Sequence, residues 1–396
     1  MTRLTPVRLA HLLFVAAFSG LLVIPMLTHN GRRDPGVRAM EQRIAAPLPG
    51  WPRTRAQLLA WPKQADDYLA DHFGSRTAMV RAFNTARYRL FGDSPSEQAV
   101  FGAHGRLFLA SHTPDSSYSL LQYTAGIGVA SSSIATGAAD LTLLLRKTRA
   151  VVPASYAMVV PTAPTLYPED LPGWLRARWP AENFLDRTLP LLPPDLRDDA
   201  VFDPRPAMLA AKRQGEVIPR SNYHWQGLGA KVAATAFAET RLGLASHLTL
   251  VSREETRPSD IAHIIPGIPA TSVVTVADFS TTEVQACLGA ACFPDWGATA
   301  GIIGDLSRYR SPQAGPGRLL ILSDSFGLGL AGWFTPYFGE VWHLAVGNLG
   351  HLDAGQRADL RHHLFDAYRP DVVLYVFNDG SVHYWPTITL KVVWAP

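Results

Sequence analysis

Three short apolar segments constrain the fold of this chain most strongly. They are residues 157–160, 319–322 and 372–376, and nearly all of their side chains are aliphatic. An amphipathic helical pattern precedes the first segment, over 138–149, and another precedes the third, over 354–368. Uninterrupted apolar runs of this length are typical of strands that are buried on both faces. Helices that alternate with such strands predict an α/β fold, in which a parallel sheet is flanked by helices.

The N-terminal region contains an apolar segment, residues 9–27, in which 19 consecutive residues carry no formal charge. A helix of that length would extend roughly 28 Å at about 1.5 Å per residue, which is enough to cross a bilayer. Arg3 and Arg8 precede the segment and favour a cytoplasmic N-terminus, although Arg32 and Arg33 follow it and weaken this signal. A cleaved signal peptide is the alternative, but no cleavage site with small residues stands out after the segment.

These patterns divide the chain into three parts. We predict a transmembrane signal anchor over residues 1–30, a linker rich in proline, glycine and arginine over 31–61, and a main domain over 62–396. Within that domain, residues 248–317 have scattered turn signals and weak periodicity, which indicates a loop-rich insertion. The organisation predicts a single-pass protein of the inner membrane whose main domain lies in the periplasm.

The composition of the 396 residues excludes several classes of protein. Hydrophobic residues make up 47% and charged residues 17%, so the chain is too apolar to be disordered. Outside the N-terminal segment, no apolar run is long enough for a multi-pass transporter. The 36 Lys and Arg residues exceed the 33 Asp and Glu residues by only three, and no long basic block occurs. We therefore expect no binding to nucleic acid.

Cys287 and Cys292 are the only two cysteines in the sequence. In an exported protein, two cysteines at this short separation predict a small disulfide loop, and two free thiols are the alternative. Zinc normally takes four protein ligands, or three and a water, so two cysteines alone make a poor zinc site. We therefore expect no metal.

A serine follows the second apolar segment closely. Residues 319–322 run directly into Ser-Asp-Ser-Phe-Gly at 323–327, and a further apolar stretch follows. Ligands bind beyond the carboxyl ends of parallel strands, and a helix that begins there presents free N–H groups to a developing oxyanion. This position predicts that Ser325 is a nucleophile. The alternative is that Ser323 or Ser325 caps the helix.

A histidine is the second candidate for catalysis. It lies in Ser-Asn-Tyr-His-Trp at 221–225, and an apolar helical pattern follows over 230–238. In an extended segment, Asn222 and His224 project to the same side, so the asparagine could hydrogen-bond the imidazole while the imidazole faces a nucleophile. The alternative is a His-Trp pair that packs at the end of a strand.

Together these motifs resemble those of the exported polysaccharide O-acetyltransferases of the alginate O-acetylation type, which are related to the SGNH hydrolases. Both have Ser-Asp-Ser-Phe late in the chain and a His-Trp pair about a hundred residues earlier. Residues 71–76 resemble the family's helical Asp-x-Phe-x-x-Arg segment, and 101–108 its Gly-x-x-Gly-Trp-Leu-Phe hairpin, with Arg106 in the tryptophan position. The proline-containing sequences within 160–172 are similar to another family stretch, so the resemblance extends with gaps from about residue 66 to 326.

The resemblance implies an SGNH-hydrolase-like sheet and the transfer of acetyl groups to hydroxyls of an exported polysaccharide, without a cofactor. A separate membrane-bound O-acyltransferase would supply the acetyl groups, within a polysaccharide secretion complex. Ser325 would carry the acetyl group, and its backbone N–H would contribute to the oxyanion hole. His224 would deprotonate Ser325 and later the sugar hydroxyl. The net charge of +3 is compatible with acidic alginate and with neutral cellulose.

One residue departs from the family pattern. The family motif is Asp-x-His-Trp, whereas this chain has Asn222 in place of the carboxylate. In the serine-protease triad, the change from Asp to Asn lowers turnover about 10⁴-fold. Another carboxylate therefore serves, with Asp324 the first to examine, or Ser325 and His224 act as a dyad with Asn222 as orienter. The further alternatives are an acetyl esterase of the same geometry and a catalytically degenerate subunit that binds polysaccharide or scaffolds the secretion complex.

Three further residues are candidates for substrate binding. Trp225 and Trp333 lie close to the two motifs and offer flat faces to a sugar ring, although core packing is the alternative for each. Asn378 follows the third apolar segment in Phe-Asn-Asp-Gly, which resembles the Gly-x-Asn-Asp block in which SGNH hydrolases place an oxyanion donor. The same sequence is also typical of a turn.

Overall fold

The computed structural model describes residues 6–27, 44–72, 74–110 and 120–394. The chain divides into two compact units. The first comprises the chain up to Ser96 together with Ile261–Ala270, and the second comprises Glu97–Asp260 and Thr271–Pro396. The predicted main domain, 62–396, is therefore shared between two units, and all of the candidate site residues belong to the second.

The described part of the first unit is helical, with α1 (Pro6–Leu27), α2 (Arg55–His72) and α3 (Arg76–Phe91), followed by the short 3-10 turn Ala262–Ile264. Residues 6–24 of α1 are long and apolar enough to cross a membrane, with a mean hydropathy of 2.1, which is compatible with the predicted anchor. Residues 28–43 and Phe73, which belong to the predicted anchor, linker and family motif, lie outside the described residues. The predicted linker is too long at its end, because α2 begins at Arg55.

The segment Ile261–Ala270 is bound to α3 within the first unit. Asn84 Nδ2 donates to the Pro266 carbonyl oxygen at 2.9 Å, and Thr85 Oγ1 donates to that of Gly267 at 2.7 Å. Gly267 has a φ of 92°, and a Cβ at this position would lie 2.5 Å from the Arg81 carbonyl oxygen. Only glycine tolerates both this positive φ and the close approach of the Arg81 backbone.

The second unit contains the strands. They are β1 (Ala99–Phe101), β2 (Leu107–Leu109), β3 (Ser155–Val160), β4 (Val201–Phe202), β5 (Val251–Pro258), β6 (Thr271–Asp278), β7 (Gln285–Leu288), β8 (Leu306–Arg310), β9 (Arg318–Ser323), β10 (Glu340–Ala345) and β11 (Val372–Asn378). The central sheet has the order β4-β3-β11-β9-β10-β8-β7. Its first five strands are parallel to one another. β8 runs antiparallel to β10, and β7 runs antiparallel to β8. The predicted α/β fold with a parallel sheet is thus confirmed for the centre of the sheet.

The α-helices of the second unit are α4 (Leu120–Ala125), α5 (Ser131–Arg149), α6 (Ala163–Leu166), α7 (Gly173–Arg176), α8 (Phe184–Thr188), α9 (Pro194–Asp199), α10 (Arg205–Ala211), α11 (Gly229–Ala236), α12 (Ala298–Ile303), α13 (Ala354–Arg361) and α14 (Trp385–Val393). One π-helical turn, Phe237–Arg241, continues α11, and another, His362–Ala367, continues α13. The short helix Ala331–Phe334, which follows β9, is of the 3-10 type.

Both faces of the sheet are covered, because alternate strand residues meet different helices. Leu320 of β9 and Val159 of β3 share one buried cluster with Leu141 of α5. Tyr156, on the opposite face of β3, meets the ring of Phe237 after α11, with the ring centroids 5.5 Å apart. Strands buried in this way have no polar face, which explains why they were visible in the sequence as continuous apolar runs.

The region 248–317 differs from the prediction of a loop-rich insertion. It contains the antiparallel hairpin β5–β6, the helix α12, and the two strands β7 and β8, which extend the central sheet. All residues of β7 are exposed, and all residues of β5 are exposed or half-buried. β5 carries mostly polar and charged side chains, and β7 has only four residues, so the extended apolar pattern that reveals buried strands is absent from both.

Arg106, which occupies the tryptophan position of the resembled hairpin motif, is buried in the second unit. Its Nε donates to Asp170 Oδ2 at 2.8 Å, and its Nη2 donates to Glu216 Oε2 at 3.0 Å. The guanidinium carbon lies 3.6 Å from the ring centroid of Tyr167. The guanidinium thus supplies the flat packing surface that a tryptophan would supply, and two carboxylates compensate its charge.

The predicted disulfide is confirmed. Cys287 at the end of β7 is bonded to Cys292 in the following 3-10 turn, with a Cα–Cα distance of 5.7 Å. No free cysteine occurs. The bridge closes a short loop at the edge of the sheet.

Replacing both cysteines, Cys287→Ser with Cys292→Ser, should lower the free energy of unfolding by about 2 kcal/mol. The loop between them spans a sequence separation of 5, and closing so short a loop removes little entropy from the unfolded chain. Denaturant unfolding of the oxidised wild type and the double variant measures the difference. A loss above about 4 kcal/mol, or none at all, would contradict this account.

Candidate active site

Ser325 lies just beyond the carboxyl end of β9, at the centre of the sheet. It is exposed, whereas its neighbours Asp324 and Phe326 are buried. The predicted α-helix does not begin here, because turns follow Ser325 until the 3-10 helix Ala331–Phe334. The backbone N–H of Ser325 donates to no acceptor among the described residues and is free to donate to a ligand.

The carboxylate of Asp324 holds the turn that carries Ser325. Its Oδ1 accepts a hydrogen bond from the Phe326 N–H at 3.0 Å. Its Oδ2 accepts from the backbone N–H of Asn378 at 2.7 Å, from Asn378 Nδ2 at 2.8 Å and from Ser381 Oγ at 3.0 Å. Burial raises the pKa of Asp324, and these hydrogen bonds oppose the rise. The carboxylate faces the end of β11, so Asp324 is not the missing partner of His224.

Asn378 therefore does not have the role predicted for it in substrate binding. Its side chain is buried, its Nδ2 is bonded to Asp324, and its Oδ1 accepts from the Gly380 N–H at 3.0 Å. It is absent from the lining of the cleft beside Ser325. Its contribution is to fix the carboxylate under the nucleophile turn.

A buried histidine lies below the same turn. His343 of β10 has its Nε2 2.7 Å from Ser323 Oγ, which in turn donates to the Asp324 carbonyl oxygen at 2.6 Å. Ser323 Oγ must therefore accept from a neutral His343. Burial lowers the pKa of His343 to about 3. Gly327 covers the pair, and a Cβ there would lie 2.0 Å from Ser323 Oγ, so no larger residue fits.

His224 faces Ser325, and Asp260 faces His224. The distance from His224 Nε2 to Ser325 Oγ is 2.8 Å, and the distance from His224 Nδ1 to Asp260 Oδ2 is 2.7 Å. Asp260 also accepts the backbone N–H groups of Tyr223 and His224, each at 2.9 Å. Since a carboxylate only accepts, Nδ1 carries the proton, and Nε2 is left to accept from the serine hydroxyl. Geometry of this kind lets a serine hydroxyl pass its proton to an imidazole whose ring a carboxylate orients.

The hypothesis that Asn222 orients His224 is wrong. Asn222 is fully buried, and its Nδ2 donates to Gln226 Oε1 at 3.1 Å. Its Oδ1 has no hydrogen-bond partner in the described ranges. The orienting carboxylate, Asp260, lies 36 positions after His224, within the region predicted to be a loop-rich insertion. No local motif marks it in the sequence, because only the tertiary fold brings it to the imidazole.

The two tryptophans have different positions. Trp225 is fully buried, and its Nε1 donates to the Phe326 carbonyl oxygen at 2.8 Å, so it ties the histidine segment to the serine turn. It contributes to the wall of the cleft, but with no exposed surface it offers no platform to a sugar, contrary to the prediction. Trp333 is only 5% exposed but lines the cleft beside Ser325, and its role in substrate binding stays a prediction.

The cleft beside Ser325 has a volume of ≈ 540 Å³. His224, Asp260 and Ser325 contribute to its lining. The β6 residues 274–277 and the stretch after the nucleophile, including Leu328 and Trp333, line much of the remainder. Its volume lies within the range of about 300–1,000 Å³ that is usual for ligand sites. Within the described ranges, no group of three or more His, Cys, Asp or Glu side chains is arranged to hold a metal ion.

The sequence matches no protein-family model and no curated protein. Similar solved structures include a DHHW family protein from Eubacterium siraeum, which is 19% identical with a TM-score of 0.47 over 65% of this chain and 88% of that one. The O-acetyltransferase domain of Pseudomonas putida AlgJ is 17% identical with a TM-score of 0.40, and the match covers 72% of this chain and 92% of that one. Pseudomonas aeruginosa AlgX is 16% identical with a TM-score of 0.43, and the match covers 74% of this chain and 67% of that one. We therefore derive the function from the geometry of the site.

The buried His343 should make the unfolding free energy sensitive to acid. Between pH 6.5 and pH 3, the unfolded chain binds a proton at this histidine that the native chain does not bind, so its contribution to stability falls as the pH falls. His343→Gln removes that contribution. The destabilisation of the variant relative to wild type should therefore be smaller at pH 5 than at pH 7 by about 2 kcal/mol.

Denaturant unfolding at the two pH values measures this difference. His351→Gln, which replaces an exposed histidine, is the matched control. If the gap between wild type and His343→Gln is the same at both pH values, the ring of His343 is not held neutral by burial.

Proposed function

We propose that this chain is an acyl-transfer enzyme of the SGNH-hydrolase type, which O-acetylates an exported polysaccharide through an acetyl-Ser325 intermediate. One observation carries the proposal. The hydroxyl of Ser325, the imidazole of His224 and the carboxylate of Asp260 form a continuous hydrogen-bonded chain, with distances of 2.8 and 2.7 Å, beside an open cleft. The side chains of His224 and Asp260 are 25% and 14% exposed, so the chain of hydrogen bonds is partly screened from water while the serine is accessible.

In the first half-reaction, Ser325 Oγ attacks the carbonyl carbon of an acetyl donor. His224 Nε2 accepts the hydroxyl proton, and Asp260 stabilises the imidazolium that forms. The free backbone N–H of Ser325 stabilises the oxyanion. The bond between the carbonyl carbon and the leaving group then breaks, the leaving group takes the proton from Nε2, and Ser325 is left as an acetyl ester.

In the second half-reaction, a hydroxyl of the acceptor attacks the acetyl carbon. His224 Nε2 accepts the hydroxyl proton and passes it to Ser325 Oγ as the ester bond breaks. The product is the acetylated acceptor and the free serine. Asp260 keeps the Nδ1 proton in place throughout, so the same imidazole acts as base and acid in both halves.

The polysaccharide acceptor and the partners are proposed from the motif resemblance. Ser-Asp-Ser-Phe, His-Trp and the hairpin around Arg106 are similar to those of the exported O-acetyltransferases. The apolar helix α1 supports a single-pass anchor in the inner membrane, with the main domain in the periplasm. A membrane-bound O-acyltransferase would then supply the acetyl groups, and the secretion complex would present the polymer.

An acetyl esterase is the second candidate, because it has the same first half-reaction. The exposure of Ser325 supports it, since water can reach the acetyl ester. Water then takes the place of the acceptor hydroxyl, and acceptor binding decides between the two outcomes. The hypothesis of a noncatalytic scaffold subunit was motivated by Asn222. With Asp260 on the imidazole, that motivation no longer applies.

Incubation of the full-length chain with 4-nitrophenyl acetate should give an acetyl adduct on Ser325. Rapid quenching, proteolysis and mass spectrometry identify the modified residue, and release of nitrophenol gives the rate. Ser325→Ala should lose both the adduct and the rate above background, because its side chain has no nucleophile. Ser323→Ala is the matched control, since Ser323 Oγ is buried and bonded to His343. An adduct on a different residue would refute the assignment of Ser325.

Asp260→Asn should lower the rate with the aryl ester about 10³- to 10⁴-fold, because an amide stabilises neither the imidazolium nor the correct tautomer.

Asn222→Asp should not raise the rate with the aryl ester. It should lower the free energy of unfolding by about 3 kcal/mol, because it places a charge in a fully buried position. Asp295→Asn, an exposed residue outside the cleft, is the control. A rate that rises in Asn222→Asp and is unchanged in Asp260→Asn would reverse the roles of the two residues.

A further inference from the structure

Asp305 lies at the same edge of the sheet as Ser325. Ala345, the last residue of β10, pairs with Ser323 of β9 on one side. On the other side, the Ala345 N–H donates to the Asp305 carbonyl oxygen at 3.0 Å. Since neighbouring strands are about 4.8 Å apart, the backbone of Asp305 is two strand spacings, roughly 10 Å, from that of Ser323.

The side chain of Asp305 is exposed and lines the cleft that contains Ser325. In the part of the chain that the structure describes, its carboxylate has no hydrogen bond and no ion pair. It is therefore a negative charge that faces a ligand in the cleft and that no protein group compensates. The main-chain pairing with β10 fixes its position, so it is carried by the rigid sheet.

The one arginine side chain in the described lining of the cleft is held by a carboxylate. Among the described residues, Arg257 is the only lysine or arginine in the lining. Its guanidinium is paired with Glu255, with Nε 2.7 Å from Oε2. Glu255 is paired with Arg253 as well. Lys231, whose ammonium lies 5.6 Å from the ring centroid of Trp333, does not line the cleft.

Most of the remaining lining is apolar. It includes Val276, Phe279, Leu288, Leu328 and the aromatic side chains of Tyr309 and Trp333. Leu288 and Leu328 are 65% and 46% exposed, which gives the mouth of the cleft an apolar rim. Aliphatic and aromatic surfaces of this kind fit the C–H faces of a sugar ring, and they offer nothing to a carboxylate.

We infer that the acceptor is an uncharged sugar and that Asp305 sets the preference against uronic acids. The inference rests on the proposed function and names the substrate class of the same site. A sugar carboxylate in this cleft meets the unpaired Asp305, and Arg257, the one lysine or arginine among the described lining residues, is bound to Glu255. A neutral sugar meets the apolar walls and places its hydroxyls toward Asp305, which accepts hydrogen bonds.

The transfer step is the same for either acceptor. The acceptor hydroxyl oxygen forms a bond to the acetyl carbonyl carbon, the bond from that carbon to Ser325 Oγ breaks, and the hydroxyl proton passes through His224 Nε2 to Oγ. The charge on the acceptor therefore acts through binding. Two like charges roughly 8 Å apart change an equilibrium constant by a factor of about 2 in bulk water and about 30 near a protein surface.

The experiment uses the full-length chain with 4-nitrophenyl acetate as donor. The acceptors are a cello-oligosaccharide and a mannuronate oligosaccharide of equal length, and mass spectrometry measures the acetylated product of each. We expect the wild type to acetylate the neutral oligosaccharide faster at low salt. In Asp305→Asn, the ratio of uronate to neutral product should rise about 2- to 30-fold. Asp359→Asn, an exposed residue of α13 outside the cleft, should leave the ratio unchanged.

Ionic strength gives a second measurement that needs no variant. Added salt screens an exposed carboxylate, so the wild-type ratio should move toward the uronate acceptor as salt is raised. A uronate preference, or a ratio that neither salt nor Asp305→Asn changes, overturns the inference. If acetyl-Ser325 forms but acetylates neither oligosaccharide, the inference is also overturned, whereas the assignment of Ser325 as the nucleophile is unaffected. Absence of acetyl-Ser325 itself overturns the proposed function and the inference together.

Discussion

The site depends on the hydrogen bonds that the Asp260 carboxylate accepts. Two of them come from the backbone N–H groups of Tyr223 and His224, and a third involves the imidazole Nδ1. The backbone bonds fix the carboxylate relative to the histidine segment, and the imidazole bond then fixes the tautomer. Only with Nδ1 protonated does Nε2 accept from Ser325. Asp260 therefore determines which atom donates and which accepts along the hydrogen bonds from Ser325 to His224 and on to the carboxylate.

A second carboxylate supports the other half of the site in the same way. Asp324 accepts the N–H of Phe326, just after the nucleophile, and binds the end of β11 through Asn378. The Trp225 Nε1–H bond to the Phe326 carbonyl oxygen then links the two halves across 101 positions of sequence. The distance between Ser325 and His224 is thus held by groups other than the two reacting side chains. Such support is what a preorganised nucleophile and base require.

The sequence allowed the centre of the fold and the proximity of Ser325 and His224 to be predicted, and the reasons are physical. The strands β3, β9 and β11 are buried on both faces, so each appears as an apolar run. Ser325 follows such a strand, where ligands bind in parallel sheets, and a short motif marks His224. The hairpin β5–β6 and the strand β7 lie outside this prediction, because β5 consists mostly of polar and charged residues and β7 has only four residues, so neither gives an extended apolar pattern.

The supporting residues were harder to predict, because their roles arise only from tertiary contacts. Asp260 has no motif around it, and it reaches the imidazole only once the chain is folded. Trp225 and Asn378 were placed in the correct region, but as groups that face a ligand. Both side chains are instead buried, and each donates a hydrogen bond to the turn that carries Ser325. Residue type and spacing therefore indicated where the site is, and side-chain burial decided what each group does there.

Proton NMR of the chain labelled with ¹⁵N-histidine tests the central claim most directly. The proton on His224 Nδ1, shared with a carboxylate, should give a strongly downfield resonance that correlates with a ring nitrogen. We expect this resonance to disappear in Asp260→Asn and to persist in Asn222→Asp. A resonance that survives the loss of the Asp260 carboxylate would contradict the account.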